Sequence, residues 1–280
     1  MDLTEIDRLT DRLMRSLAAG ETHAPAVLRF LLRRFAATAR DDLRDVLGPA
    51  IGAALERDAL DAERLIALAE AVEISTDPAL VDVVRREAVR CLSAWPARGQ
   101  VGPAAASVEF CLAAARALGE HAWTSDALDE LERIVGLAYE PGDGMAQQLT
   151  TRVRIAGDVA THVAVALALL QAFDVTGRLP YPMLAEELMA HVERRPDAGP
   201  ASTVDQVECT ASVVTFDAAR VLARLARLQR DPDYLSVAVT RGDGDRQVER
   251  RLRGFDAAAV DDPALLAAYG LALEEWLQVT

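Results

Sequence analysis

Apolar residues return every three or four positions along most of the chain, clearly so over residues 26–35, 65–72 and 214–228. That spacing puts them on one stripe of an α-helix, and glycine and proline collect in the gaps between such stretches. A run alternating apolar and polar residues with a tight turn would mark a hairpin. The best approach to one is LSVAVT (235–240), which is short. The pattern predicts an all-α protein.

One kind of turn keeps returning between helical stretches. STDPALVDVV from Ser75, RDPDYLSVAV from Arg230 and VDDPALLAAYG from Val260 each set an aspartate before a proline. There the carboxylate takes an orphan amide, and the missing proline N–H is not needed in the first helical turn. Looser versions start at Ala39, His121 and Thr176, so the chain predicts six helical hairpins in one domain over residues 1–280. The stretches WPARGQVGP from Trp95, YEPGDGMAQQ from Tyr139, RPDAGPAST from Arg195 and TRGDGDRQ from Thr240 are richer in glycine, proline and charge. They read as connectors between hairpins. In a serial array the tight turns share one end and the connectors the other, and the connector end is where a binding surface is expected. VAVALALL (163–170) is apolar on every side, whereas MLAEELMAHVERR from Met183 has a polar face. An inner helix paired with an outer one, repeated, makes a closed α/α toroid; an open helical solenoid is the alternative.

ALALLQAFDVTGRLPYPMLAEELMAHV, with its alanine-rich helix, short turn and amphipathic helix, resembles the repeat of α/α-toroid proteins. These are the six-hairpin glycosidases, the sugar 2-epimerases, and the prenyltransferase and terpene-cyclase relatives. The resemblance covers most of the chain and is one of layout. It implies a toroid trimmed to 280 residues, with a ligand bowl at the connector end.

Charge and composition narrow the chemistry. The formal net charge is −14 and no basic patch stands out, so nucleic acid is not an expected partner. The chain has no lysine and no asparagine. Schiff-base chemistry, pyridoxal phosphate anchoring and a Walker-type phosphate loop therefore have no amine here, and no cofactor is expected. Cys91, Cys111 and Cys209 lack metal or disulfide spacing and read as buried small hydrophobes. MDLTEIDRLTDRL is charged and periodic rather than basic then apolar, and 163–170 is too short to cross a bilayer. These features predict a cytoplasmic protein without a membrane span.

Asp41-Asp42-Leu43-Arg44-Asp45 matches the metal-binding string of terpene synthases. The two aspartates also stand where every other hairpin has its cap, and 5% aromatic residues are too few to line a carbocation site. No metal is expected. Asp158 and His162 are four residues apart at the start of the apolar helix, a spacing that suits a cap, or a carboxylate orienting an imidazole. Glu187 and His191 repeat the spacing on an amphipathic helix, where exposure is expected. The connectors bring the larger set of Glu140, Asp143, Asp197, Asp205, Glu208, Asp243 and Asp245, with Tyr139, Trp95 and Arg241. Paired carboxylates and an aromatic platform suit glycoside cleavage. Asp205 and Glu208 are equally spaced as a capping pair. The expectation is an enzyme acting on a small polar or carbohydrate-like ligand, with Glu140 and Asp143 as acid and base. Tyr139, Trp95, Asp158, His162, Asp205 and Glu208 would bind around them. The other expectation is a non-catalytic helical module that presents an exposed apolar patch to a protein partner.

Overall fold

The computed structural model describes residues 3–56, 61–95, 99–149, 154–194, 205–239, 244–253 and 255–278, with backbone alone for 205–212. The first helices are α1 (Leu3–Ala18), α2 (Pro25–Thr38), α3 (Asp41–Leu55), α4 (Ala62–Val72), α5 (Pro78–Ser93), α6 (Val101–Leu118) and α7 (His121–Ala138). After a two-stranded hairpin, β1 (Tyr139–Glu140) and β2 (Gly144–Met145), follow α8 (Val159–Thr176) and α9 (Pro180–Arg194). The chain then forms α10 (Asp205–Leu228), the single turn α11 (Pro232–Leu235), α12 (Gly244–Arg253) and α13 (Pro263–Leu277).

Six of these helices form a closed inner ring. α2 packs on α4, α4 on α6, α6 on α8, α8 on α10, α10 on α13, and α13 returns to α2. Their composition explains the position, because α6, α8 and α13 bury residues on all sides. The outer layer is α1, α3, α5, α7, α9 and α12, each resting a single apolar stripe on its inner neighbours. The fold is an α/α toroid, and the closed ring rules out the open solenoid. α6 and α8, 18 residues each, are long and apolar enough to cross a membrane, but here they are ring helices packed on each other. Cys91 and Cys111 are buried thiols, as their setting predicts, and the Cys209 side chain lies outside the described residues.

The ring closes by joining the two ends of the described chain. α1 lies outside α13, and Arg12 donates to the carbonyls of Ala257 at 2.7 Å and Val260 at 2.5 Å. Tyr269 donates to Glu5 at 2.6 Å. The predicted caps form: the carboxylates of Asp77, Asp231 and Asp262 accept from the amides of Ala79, Asp233 and Ala264. Each such cap contributes about 1 kcal/mol.

Two segments change places relative to the sequence expectation. Asp262-Pro263 opens an inner helix, so the turn from Val260 lies at the connector end. The TRGDGDRQ stretch leads into the outer helix α12, so it belongs to the turn end; its first residues, 240–243, lie outside the described residues. An Asp-Pro cap encodes a helix start and carries no information on which end of the stack that start occupies. LSVAVT is not a strand in its described part, since Leu235 closes α11 and 236–239 are turn and bend. Without a partner strand, β-branched residues do not hold an extended ladder.

Candidate functional site

The connector between α7 and α8 is a built structure rather than a loose loop. β1 and β2 pair Tyr139 with Met145 and Glu140 with Gly144. Behind them His162, fully buried in α8, accepts from the Met145 amide through Nε2 at 3.0 Å and donates from Nδ1 to the Asp158 carbonyl at 2.7 Å. Those partners assign a neutral imidazole with its proton on Nδ1. Gly144 has φ +71°, and a Cβ there would stand 2.4 Å from His162 Nε2, so only glycine lets the hairpin come this close. His191 stacks on His162 at 4.9 Å and reaches the Gly142 carbonyl at 3.2 Å, so it is half-buried rather than exposed as its helix pattern predicted. Asp158 caps α8 by accepting from the Thr161 amide at 2.8 Å. Burial, together with Glu187, pushes the Tyr139 phenol up.

Glu140 and Asp143 stand at the tip of this hairpin, both exposed, with Arg154 3.4 Å from Glu140. Trp95 lies elsewhere, nine-tenths buried beyond the end of α5, where it walls an outer cleft. Asp205 and Glu208 lie in the first turns of α10, and their side chains fall outside the described residues, as do Asp197, Arg241 and Asp243 altogether. Asp245 is in the first turn of α12, 3.7 Å from Arg230, at the turn end. Asp41 and Asp42 are in the first turn of α3, where Arg40 is the cap residue, and they pair with Arg44 and Arg40. Among the described residues no group of three or more His, Cys, Asp or Glu side chains could hold a metal. The predicted set is thus spread over the hairpin, the outer wall and the start of α10.

The structure concentrates charge somewhere else: inside the ring. Arg29 of α2 donates to Glu70 of α4 and to Glu109 of α6, both at 2.9 Å. α2 and α6 are not ring neighbours, so a bond between them crosses the interior. Arg33 reaches Glu275 of α13 at 2.8 Å. Burial alone would raise the Glu70 and Glu275 carboxyls. Arg29 and Arg33 outweigh it at Glu70, and Arg33 and Arg224 hold Glu275 down to about 2.

Nearer the connector end this network is less well matched. Glu63 is in the first turn of α4 and is exposed. Partial desolvation by the surrounding helices raises its carboxyl above the usual range, and Asp217 of α10 raises it further, while Arg29 and Arg220 pull the other way. α4 and α10 stand opposite each other in the ring, so Glu63 and Asp217 act across the interior. Counted at ~1.5 Å per residue, Asp217 lies roughly 17 Å above the turn-end terminus of α10, near the middle of that helix. Asp217 also accepts from buried Arg220 at 3.0 Å. Burial, with Arg29 and Arg33 nearby, lowers the Arg220 pKa, and its Nε has no acceptor among the described residues. This part of the ring therefore holds an exposed carboxyl whose pKa is raised, a second carboxyl on the opposite helix and a guanidinium with unused capacity. Spacing does not reveal this set. A visible trace is a lone charge in an apolar helix, such as Glu109 in ASVEFCLAAA.

No protein-family model matches the sequence, and no curated protein matches it either. Solved structures match over nearly the whole chain. A possible member of the GH105 family from Salmonella enterica serovar Paratyphi A superposes with a TM-score of 0.71 at 11% identity, covering 99% of this chain and 95% of that one. The GH76A α-1,6-mannanase of a Salegentibacter species gives 0.68 at 10% identity over 98% and 100%. An unsaturated glucuronyl hydrolase specific for heparin gives 0.68 at 10% identity over 99% and 98%. At such identities the likeness is one of fold. The match runs over nearly the whole of those chains as well.

Proposed function

We propose that the protein binds a carbohydrate at the connector-end mouth of the ring and cleaves a glycosidic bond there, with Glu63 as the proton donor and Asp217 as its carboxylate partner. The observation that carries this is the pair itself: two carboxyls from opposite ring helices, one of them held above its ordinary range by partial desolvation and by the other. A carboxyl whose pKa is raised suits a proton donor. Glu63 would pass its proton to the bridging oxygen as the C–O bond breaks. Asp217 would take a proton from the water that adds to the anomeric carbon. Arg220 lies beneath Asp217 with an N–H to spare, which suits an oxygen-rich ligand. The fold supports the reading, since similar structures include a mannanase variant in complex with α-1,6-mannotriose.

The test is release of reducing ends from α-1,6-mannotriose and from heparin-derived oligosaccharides, with calorimetry for binding. Glu63→Gln and Asp217→Asn are each expected to lower kcat by about 10²–10⁴-fold while keeping binding. A wild-type protein that neither binds nor cleaves either class would overturn the reading. A second reading also has an observation behind it. Val175, Leu179, Leu235, Val237 and Val239 are exposed on the turns that follow α8 and α10, adjacent ring helices, and a protein could dock there. Light scattering before and after Val237→Glu with Val239→Glu tests it, since a monomer unchanged by both would remove self-association.

A further inference from the structure

Outside the ring, α5 and α7 leave a cleft of about 360 Å³, near the lower end of the ~300–1,000 Å³ of small-ligand pockets. One wall is apolar, made by Leu92 in the last turn of α5 and by the indole of Trp95 just beyond it. The other is a single polar face of α7: Asp126, Asp129, Glu130 and Arg133. Glu130 is buried and takes Arg133 in a two-pronged pair, Nε to Oε2 at 2.6 Å and Nη2 to Oε1 at 2.8 Å. That pairing neutralises both groups and fixes the guanidinium. Asp126 and Asp129 remain exposed along the cleft. Trp95 is nine-tenths buried, and its indole N–H has no acceptor among the described residues. A buried donor left unmade is costly, so the site is short of one acceptor.

We infer that this cleft is a second ligand site, for a neutral polyhydroxylated ring such as a hexose. The chemistry selects the class. An anion would meet Asp126 and Asp129 with Arg133 already neutralised by Glu130. A metal ion or a basic group could take the aspartates but offers no acceptor to the indole. A hydroxyl does both, accepting from Trp95 and donating to a carboxylate. The apolar wall of Leu92 and Trp95 suits the C–H face of a pyranose. The cleft lies on the outer wall, so the inference does not rest on the reading of Glu63 and Asp217.

The experiment is a titration of the full chain, labelled with ¹⁵N-tryptophan, with D-mannose and D-glucose at millimolar concentration. Trp95→Phe identifies the Trp95 indole signal among those of Trp123 and Trp276. That signal is expected to move and saturate with sugar. Asp126→Ala and Asp129→Ala should each weaken binding roughly three- to tenfold, the scale of one lost hydrogen bond. Glu63→Gln should leave the titration unchanged. Both aspartates are exposed, so loss of folding does not confound these variants. A Trp95 signal that stays still throughout would overturn the inference. So would a response that persists in the double aspartate variant, or one that appears with arginine methyl ester and not with sugar.

Discussion

In the hairpin after α7, Glu140 and Asp143 stand in solvent while the His162 ring, backbone amides and the Arg154 guanidinium, which donates to the Ala138 and Gly144 carbonyls, hold the structure together. In the ring interior the order is reversed: buried Arg29 binds buried Glu109 and half-buried Glu70, Arg33 binds buried Glu275, and the low-dielectric surroundings are what make these pairs interact strongly. The same residue types are nearly inert in one place and structural or reactive in the other. What separates the two regions is desolvation, which weakens with every step toward water. Acidic composition alone is therefore a poor guide to where chemistry sits.

Substitutions can test that contrast, starting with the one of largest expected effect. Arg29→Met keeps most of the volume but strands Glu70 and Glu109, and should destabilise by about 3–5 kcal/mol. Calorimetry would show Tm falling by roughly 10 °C; an unchanged Tm would mean the interior is wetter than described. His162→Ala leaves the Met145 amide without its acceptor beside a new void, for about 2–4 kcal/mol. Amide exchange at Met145 should speed up, while the Arg29 network keeps its protection.

Acid tests the carboxylates of the ring directly. The Glu275 carboxyl lies below its ordinary value of 4.5 at about 2, so its contribution is present above pH 4.5 and lost as pH falls through 2. Glu70 is lowered in the same sense. Denaturant titrations over that window should show stability dropping, and Glu275→Gln should flatten the drop. Glu63 has the opposite sign: its folded carboxyl is raised, so its ionised form at neutral pH works against folding. Glu63→Gln should hold or raise Tm at pH 7 even as it removes the proposed activity, and a clear fall in Tm would assign the residue a structural role. The smallest effect belongs to Glu140→Gln with Asp143→Asn, within about ±0.5 kcal/mol and with turnover intact. A loss of turnover there would return the chemistry to the hairpin.

Most of the fold is legible in the sequence because it rests on local rules. Asp77-Pro78 and Asp262-Pro263 start helices by capping, and 163–170 announces an inner helix by being apolar all round. The site is less legible. YEPGDGMAQQ attracts attention through glycine and charge, yet Gly144 is there because His162 leaves no room for a Cβ. Glu63 reads as an ordinary charge in a first helical turn, and nothing near it in the chain points to Asp217.

The sequence by itself determined the helices, their caps, the inner or outer character of several of them and the exclusion of lysine chemistry, because periodicity, propensity and composition act over a few residues. Only the tertiary structure decided that the ring closes through α13 onto α2, that the His162 ring supports the hairpin, and that Asp217, on the opposite ring helix, acts on Glu63. Those facts depend on contacts between residues far apart in the chain, and on how much water the packing leaves around each charge.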